Sequence, residues 1–262
     1  MNRNRLIALP IVLAGLASTQ AFAVGQLAEV SITDRDTGKR LTAHFHRGEY
    51  WVAGRPGARY GINIRSRDER RLLAVTSVDG VNVVTGETAR SDQRGYVFAP
   101  RDGYDITGWR KSDSQIAAFE FTSIPKSYAA RTGRPDNIGV IGVALFRERA
   151  PVVAQLAAPA AESAQKSRSW EAEVRGSANA SADRSASEMP TPASSLGTGH
   201  GRREQSVVTQ VEFDREQTSP NEVIRIRYDS EANLLAMGVI RPAPRKPQPF
   251  PDEPQLGYVP DP

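Results

Sequence analysis

The sequence predicts an all-β protein: an antiparallel β-sandwich with a C-terminal β-meander packed on it and a long disordered insertion. Three observations favour this class. Apolar residues recur at every second position in many short runs, turn-forming residues separate these runs at short intervals, and few stretches show a helical period. Strands are therefore expected at residues 28–33, 41–45, 50–53, 59–65, 72–78, 81–84, 96–99, 104–109, 116–122 and 138–146.

The chain opens with a pattern typical of a secretory signal peptide. Two arginines precede an apolar run at residues 6–17, and Ala21 and Ala23 supply small residues for a cleavage site. An uncleaved membrane anchor is the weaker alternative, because spanning a bilayer takes about 20 apolar residues. We therefore expect residues 1–23 to be removed. The mature chain from Val24 is expected to be periplasmic or secreted, with no membrane span.

The composition excludes several classes of functional site and partner. The chain has 262 residues, no cysteine and a formal net charge of +4. A protein without cysteine has no disulfides, no thiol nucleophile and no thiolate metal site. Its stability must come from burial, so the folded part should exceed the roughly 70 residues below which small domains need cross-links. The small net charge is not the basic patch that nucleic acid requires, so no nucleic-acid partner is expected.

Composition also divides the mature chain into four parts. Residues 24–150 carry most of the strand patterns and should form the β-sandwich domain. Residues 151–203, rich in Ala, Ser, Pro and Gly, read as a disordered linker. Alternation returns at 204–240, which predicts a β-meander with strands at 207–213, 224–228 and 234–240. Because about 35 residues are too few for an independent core, this meander should pack on the first domain. Residues 241–262 are a proline-rich tail of extended, polyproline type.

No catalytic or metal-binding motif stands out. His44 and His46 share one face of a strand, but a metal site needs more ligands than these two. The glycine-rich residues 197–201 lack the strand-then-helix context of a phosphate loop, and a flexible entry to the meander explains them better. The sequence thus predicts no catalytic residue, no metal and no cofactor.

Aromatic and polar side chains near strand ends are the candidates for binding a ligand. They are Trp51, Trp109, Arg110, Asp79, Asn82 and Arg131. Trp51 and Trp109 could present rings to a sugar or peptide, and the alternative is packing in the core or at its rim. Asp79 and Asn82 suit a turn and a strand end, where their side chains hydrogen-bond the backbone. Around one end of the sandwich they could instead join Arg110 and Arg131 in a ligand site.

Five segments carry a resemblance to other proteins. They are SVDGVNV at 77–83, GWR at 108–110, AAF at 117–119, SYAARTG at 127–133 and NIGVIGV at 137–143. Together they resemble a group of uncharacterised exported proteins of Gram-negative bacteria. The resemblance implies export and a shared fold, and it assigns no catalytic residue.

These observations predict a non-enzymatic binding or interaction module of the cell envelope, with an envelope protein or glycan as its partner. The alternative is an enzyme acting on envelope polysaccharide or peptidoglycan, with carboxylates that the fold brings together from distant strands. A cleft lined by two or more buried acidic side chains would favour the enzyme. A flat surface with exposed aromatic side chains and a well-ordered tail would favour binding. The proline-rich tail could dock an aromatic groove on a partner.

Overall fold

A computed structural model describes residues 23–150 and 195–242, and its strands form two β-sheets. The predicted tail from residue 243, the leader up to residue 22 and residues 151–194 of the predicted linker lie outside the described residues. The strands are β1 (Ala28–Asp34), β2 (Ala43–His46), β3 (Glu49–Gly54), β4 (Arg59–Ser66), β5 (Leu72–Val78), β6 (Val81–Asn82), β7 (Tyr96–Phe98), β8 (Gly103–Ile106), β9 (Gly108–Arg110), β10 (Gln115–Ser123), β11 (Val140–Arg147), β12 (Leu196–Gln205) and β13 (Glu222–Ser230). Two short helices are α1 (Tyr128–Arg131) and α2 (Glu231–Ala236).

The two sheets pack face to face, so the predicted all-β sandwich is confirmed. The first sheet has the order β1-β4-β10-β12, with β8 paired to β4 and β9 paired to β10. The second has the order β2-β3-β13-β11-β5-β6, with β7 also paired to β5. The described strand pairs are antiparallel except β3 with β13, which is parallel.

Alternation of apolar and polar residues explains how the strands meet in one core. In β4, Tyr60, Ile62 and Ile64 are buried while Arg65 is exposed. The Tyr60 ring lies 4.2 Å from the ring of Phe121 in the same sheet, and Phe121 lies 5.3 Å from Tyr228 in the other sheet. Such ring pairs contribute about 0.5–1.5 kcal/mol beyond their area burial, so they help to hold the sheets together.

Strands β8 and β9 widen the first sheet. β4 and β10 pair directly at Tyr60–Phe119 and then diverge. β8 bonds to β4 and β9 bonds to β10 in the space between them. Gly108 is needed at this junction, because a Cβ there would lie 2.2 Å from the carbonyl oxygen of Ala117. This insertion brings Tyr104 and Arg110 to the edge of the sandwich.

Residues 195–203, predicted as the end of a disordered linker, belong instead to the fold. β12 pairs with β10 from Leu196 opposite Ser123 to Gln205 opposite Gln115. The glycines permit close packing: a Cβ on Gly201 would lie 2.8 Å from the carbonyl oxygen of Ala118. The prediction was wrong because glycine supports either flexibility or close backbone approach, and here it serves the second.

The C-terminal segment packs on the sandwich as predicted, but it forms no meander. β13 lies between β3 and β11 in the second sheet, whereas β12 lies in the first. Residues 206–215, here called the strap, cross between the sheets as an irregular segment. Phe213 packs on Leu73, Val75 and Phe146, which cover the outer face of the second sheet. Of the alternating residues, Phe213 anchors this crossover, whereas Val207 is 75% exposed and Val211 is 57% exposed.

The predicted last strand of the meander contains a helix instead. The Ser230 hydroxyl caps α2 by accepting the backbone N–H of Asn233. Leu234 is fully buried, so the helix is held by one apolar anchor. Gly238, with φ of +71°, follows the helix end in the left-handed conformation that glycine favours.

Candidate functional site

Asp79, a predicted binding residue, is a buried structural group. It occupies the turn after β5 with φ of +53° and has no exposed surface. Its carboxylate accepts hydrogen bonds from the Tyr228 hydroxyl at 2.5 Å, the Thr198 backbone N–H at 2.7 Å and the Gly139 backbone N–H at 3.0 Å. Burial raises the pKa of Asp79 to about 6, against the opposing effect of these donors. The carboxylate thus ties β12 and β13 to the end of β5.

The same hydrogen-bond network extends through the core. The Thr198 hydroxyl is 2.7 Å from the Tyr228 hydroxyl and 2.6 Å from the Tyr60 hydroxyl. Burial raises the pKa of Tyr60 and of Tyr228 well above the usual tyrosine range. Because each polar group here finds its partner inside the protein, the network stabilises the fold and offers nothing to a ligand.

Asn82 organises the loop that follows it. Its Oδ1 accepts the backbone N–H groups of Val84 at 2.7 Å and Thr85 at 3.1 Å. Its Nδ2 donates to Gln93 Oε1 at 3.2 Å and to the Arg94 carbonyl at 3.1 Å. These bonds fix residues 84–95, which lead directly into β7.

Three other predicted residues have separate surroundings. Trp109 is 3% exposed and packs edge-on against Phe119 at 4.9 Å, so it is a core residue. Trp51 is partly buried, with the Arg227 guanidinium 5.5 Å from its ring centre. Arg131 is exposed in the last turn of α1. The six predicted residues therefore do not form one site.

Arg110 is the predicted residue that lies in an open cleft. This cleft holds about 660 Å³, within the range of about 300–1,000 Å³ typical of small-molecule sites. It lies between β7, β8 and the strap at the open end of the sandwich. Leu73, Val97 and Phe98 contribute apolar surface to its lining.

Two tyrosines and Arg110 form one wall of the cleft. The rings of Tyr96 and Tyr104 are 5.6 Å apart and tilted by 32°. Arg110 Nε donates to the Tyr96 hydroxyl at 3.2 Å, and its guanidinium carbon lies 5.8 Å from that ring centre. Tyr104 is 37% exposed. The wall therefore presents aromatic surface whose orientation is set by neighbouring groups.

The strap closes another side of the cleft and is attached at both ends. At its start, Arg110 Nη2 donates to the Ser206 hydroxyl at 2.7 Å. At its end, Arg215 donates to the carbonyls of Ser91 at 2.9 Å and Gln93 at 2.7 Å. The Arg215 guanidinium also lies 4.2 Å from the Phe146 ring centre. The cleft is thus built before any ligand arrives.

Acidic and basic residues are equal in number in the lining of the cleft. The lining includes three aspartates and three arginines, namely Asp92, Asp102, Asp113, Arg94, Arg110 and Arg215. All three aspartates are exposed. The buried carboxylates of the described chain, Asp34, Asp79 and Asp229, are absent from this lining. The cleft therefore lacks the buried acidic pair that would favour an enzyme.

A second depression of about 560 Å³ lies near the start of β3 and β13. Its lining includes Arg67 and Arg227, which are paired with Glu29 and Glu49 respectively. Its Glu222 carboxylate accepts the backbone N–H groups of Gln26 and Leu27. These groups are occupied in holding the chain together, so the first cleft is the stronger candidate.

Comparison with known proteins identifies no relative: no protein-family model matches the chain, and neither a curated protein nor a solved structure shows significant similarity. Within residues 23–150 and 195–242, no three His, Asp or Glu side chains cluster to hold a metal ion. No helix in these same residues is long and apolar enough to cross a membrane.

Sequence reasoning missed most of the cleft. Tyr96 and Tyr104 were expected only as strand residues, and the strap was expected as a strand. The turn residues between 84 and 95 were a usable signal, because loops at the end of a sandwich often carry binding groups. The pairing of Arg110 with Ser206 had no such signal, since the two residues are far apart in the chain.

Proposed function

We propose that this protein is an exported, non-enzymatic binding module of the cell envelope, and that its ligand occupies the cleft beneath the strap. The observation that carries the proposal is an open, preformed cleft with an aromatic wall and exposed polar groups. Preformed concave sites that combine apolar surface with a few placed polar groups are the usual form of ligand sites.

The carboxylates of the chain favour binding over catalysis. Glycoside hydrolysis needs an acidic pair, one member of which has a raised pKa so that it can donate a proton. The Arg90 guanidinium lowers the pKa of Asp92 in the cleft, which is the opposite of what a general acid needs. Asp79, whose pKa is raised, lies in the core and is already bonded to Tyr228.

Export is supported by the pattern of residues 1–23, in which arginines precede an apolar run and small residues follow it. The position of Val24 agrees with cleavage before it. Val24 exchanges backbone hydrogen bonds of 2.8 Å with Val30, and its side chain belongs to the core. The test is N-terminal sequencing of the protein from fractionated cells. A periplasmic or secreted chain beginning at Val24 is expected, and a cytosolic chain that keeps Met1 would contradict export.

Site-specific photocrosslinking in intact cells tests the cleft as the ligand site. A benzophenone amino acid is placed at Gln210 on the strap or at Asp102 beside β8, with Thr37 in the exposed β1–β2 turn as the control. We expect the same adduct from Gln210 and Asp102 and none from Thr37. Identical adducts at all three positions, or none at the two cleft positions, would contradict the proposal. Deleting residues 241–262 in parallel shows whether the tail contributes.

A further inference from the structure

We propose that the ligand of the cleft is an uncharged glycan, bound with the apolar face of a sugar ring against Tyr104 and Tyr96. This inference rests on the proposed binding function and adds the chemical class of the ligand. It depends on three features of the lining: the aromatic pair, two arginines whose donors are occupied, and the free oxygen acceptors.

The aromatic pair provides a surface for a sugar ring. Pyranose rings carry C–H groups on one face, and these slightly positive groups suit the electron-rich face of an aromatic ring. Tyr104 remains 37% exposed although its hydroxyl lies 3.1 Å from the Ser206 hydroxyl. The hydroxyl bond positions the side chain, while the exposed part of the residue remains open for contact with the ligand.

Two of the three arginines of the cleft are poorly available to an anionic ligand, while the third, Arg94, is exposed. Arg110 donates to Tyr96, to the Ser206 carbonyl and to the Ser206 hydroxyl. Arg215 donates to the carbonyls of Ser91 and Gln93. A carboxylate or phosphate is normally held by a guanidinium with two donors free for it. With three aspartates balancing three arginines, the lining selects neither a polyanion nor a polycation.

The remaining polar groups suit hydroxyl donors. Asp102 uses one oxygen to accept the Gly103 backbone N–H at 2.7 Å, which leaves its second oxygen as an acceptor. Asp113 is exposed and contacts Gln210 Nε2 at 3.4 Å. Thr209 and Gln210 add a hydroxyl and an amide from the strap. Sugar hydroxyls donate to carboxylates and exchange hydrogen bonds with such groups.

Titration calorimetry with the full mature chain tests the ligand class. The probes are neutral tetramers of glucose and of N-acetylglucosamine, an anionic galacturonate tetramer, a cationic glucosamine tetramer and an unstructured neutral peptide. We expect at least one neutral tetramer to bind about tenfold or more tightly than either charged tetramer. Tighter binding of a charged tetramer or of the peptide, or no binding of either neutral tetramer, would overturn the proposal.

Variants locate the binding. Tyr104→Ala should weaken binding of the neutral tetramer about tenfold, whereas Tyr104→Phe should keep most of it because the ring remains. Phe45→Ala is the matched control, since Phe45 is 58% exposed and pairs with Tyr50 at 5.1 Å on another edge. Equal affinity of wild type and Tyr104→Ala would overturn the proposal. If crosslinks map to the cleft but neither neutral tetramer binds, the glycan inference fails while the proposed binding function stands.

Discussion

The two ends of β5 use the same kinds of side chain for different purposes. At the closed end, Asp79 and Tyr228 are buried and bonded to each other inside the core. At the open end, Tyr104 and Asp102 line a cleft that solvent can enter. The difference lies in whether the fold supplies all the partners. A tyrosine or an aspartate indicates a site only where some of its bonding capacity is left over.

The largest effect should come from removing the carboxylate at the closed end. Asp79→Ala removes the acceptor that the Tyr228 hydroxyl and the N–H groups of Thr198 and Gly139 share. We expect a loss of about 3–5 kcal/mol in the free energy of unfolding, measured by urea denaturation. The open-end control, Asp113→Ala, should change it by about 0.5 kcal/mol or less. Similar losses in both variants would remove the distinction between the two ends.

The next largest effect is a pH dependence at the closed end. Burial raises the pKa of Asp79 to about 6, whereas an unfolded aspartate titrates near about 3.9. The folded state therefore holds this proton more tightly. The stability from protonated Asp79 is fully present below about pH 4 and is lost as the pH rises through about 6.

Comparison with Asp79→Asn isolates this titration. Burial acts to raise the pKa of Asp68, but its arginine partners lower it on balance, and Arg70 lowers the pKa of Glu216. Both groups contribute a pH dependence of opposite sign that wild type and variant share. The stability of wild type relative to the variant should fall by about 2–3 kcal/mol between about pH 4 and pH 6 and then level off. Urea denaturation across this range measures it. If the stability of wild type relative to the variant instead rises with pH, the hydrogen bonds to the Asp79 carboxylate lower its pKa more than burial raises it.

Four tyrosine-to-phenylalanine changes sharpen the comparison. Tyr228→Phe removes a buried bond to a carboxylate and should cost about 1.5–3 kcal/mol of unfolding free energy. Tyr60→Phe removes a bond to the Thr198 hydroxyl and should cost about 1 kcal/mol. Tyr96→Phe and Tyr104→Phe should cost about 0.5 kcal/mol or less. Chemical denaturation gives all four values, and any other ranking would contradict this assignment of roles.

Loosening the strap should act mainly on local opening and change global stability little. Arg215→Ala removes the bonds to Ser91 and Gln93 that hold the end of the strap. Hydrogen exchange should become faster in residues 206–213, while the free energy of unfolding changes by about 1 kcal/mol or less. Unchanged exchange in the strap would show that Phe213 and the Arg110–Ser206 bond hold it without Arg215.

Local pattern was enough to predict most of the strands. The predicted strand at residues 59–65 is β4, Arg59–Ser66, and that at 116–122 lies within β10, Gln115–Ser123. Period-two alternation worked there because one face meets the core and the other meets water. It failed at residues 207–213, where the same alternation lies on a segment that changes sheets.

Contacts between residues far apart in the chain determine the features that the local sequence pattern did not predict. Asp79 was identified as a turn residue, but its burial depends on Thr198 and Tyr228, which follow more than a hundred residues later. β12 was hidden because its glycines resemble those of a linker, and only the surface of β10 shows why they are needed. The cleft likewise exists only once the strap reaches Tyr96 and Arg110.

Hydroxyl-radical footprinting, read residue by residue by mass spectrometry, tests the contrast between the two ends most directly. Tyr104 should be oxidised in the free protein and protected by the neutral tetrasaccharide, while buried Tyr60 and Tyr228 stay unmodified in both states. Phe45, exposed on a different edge, should be oxidised equally with and without the sugar. Oxidation of Tyr228 at the rate of Tyr104, or protection of Phe45 in place of Tyr104, would contradict the account.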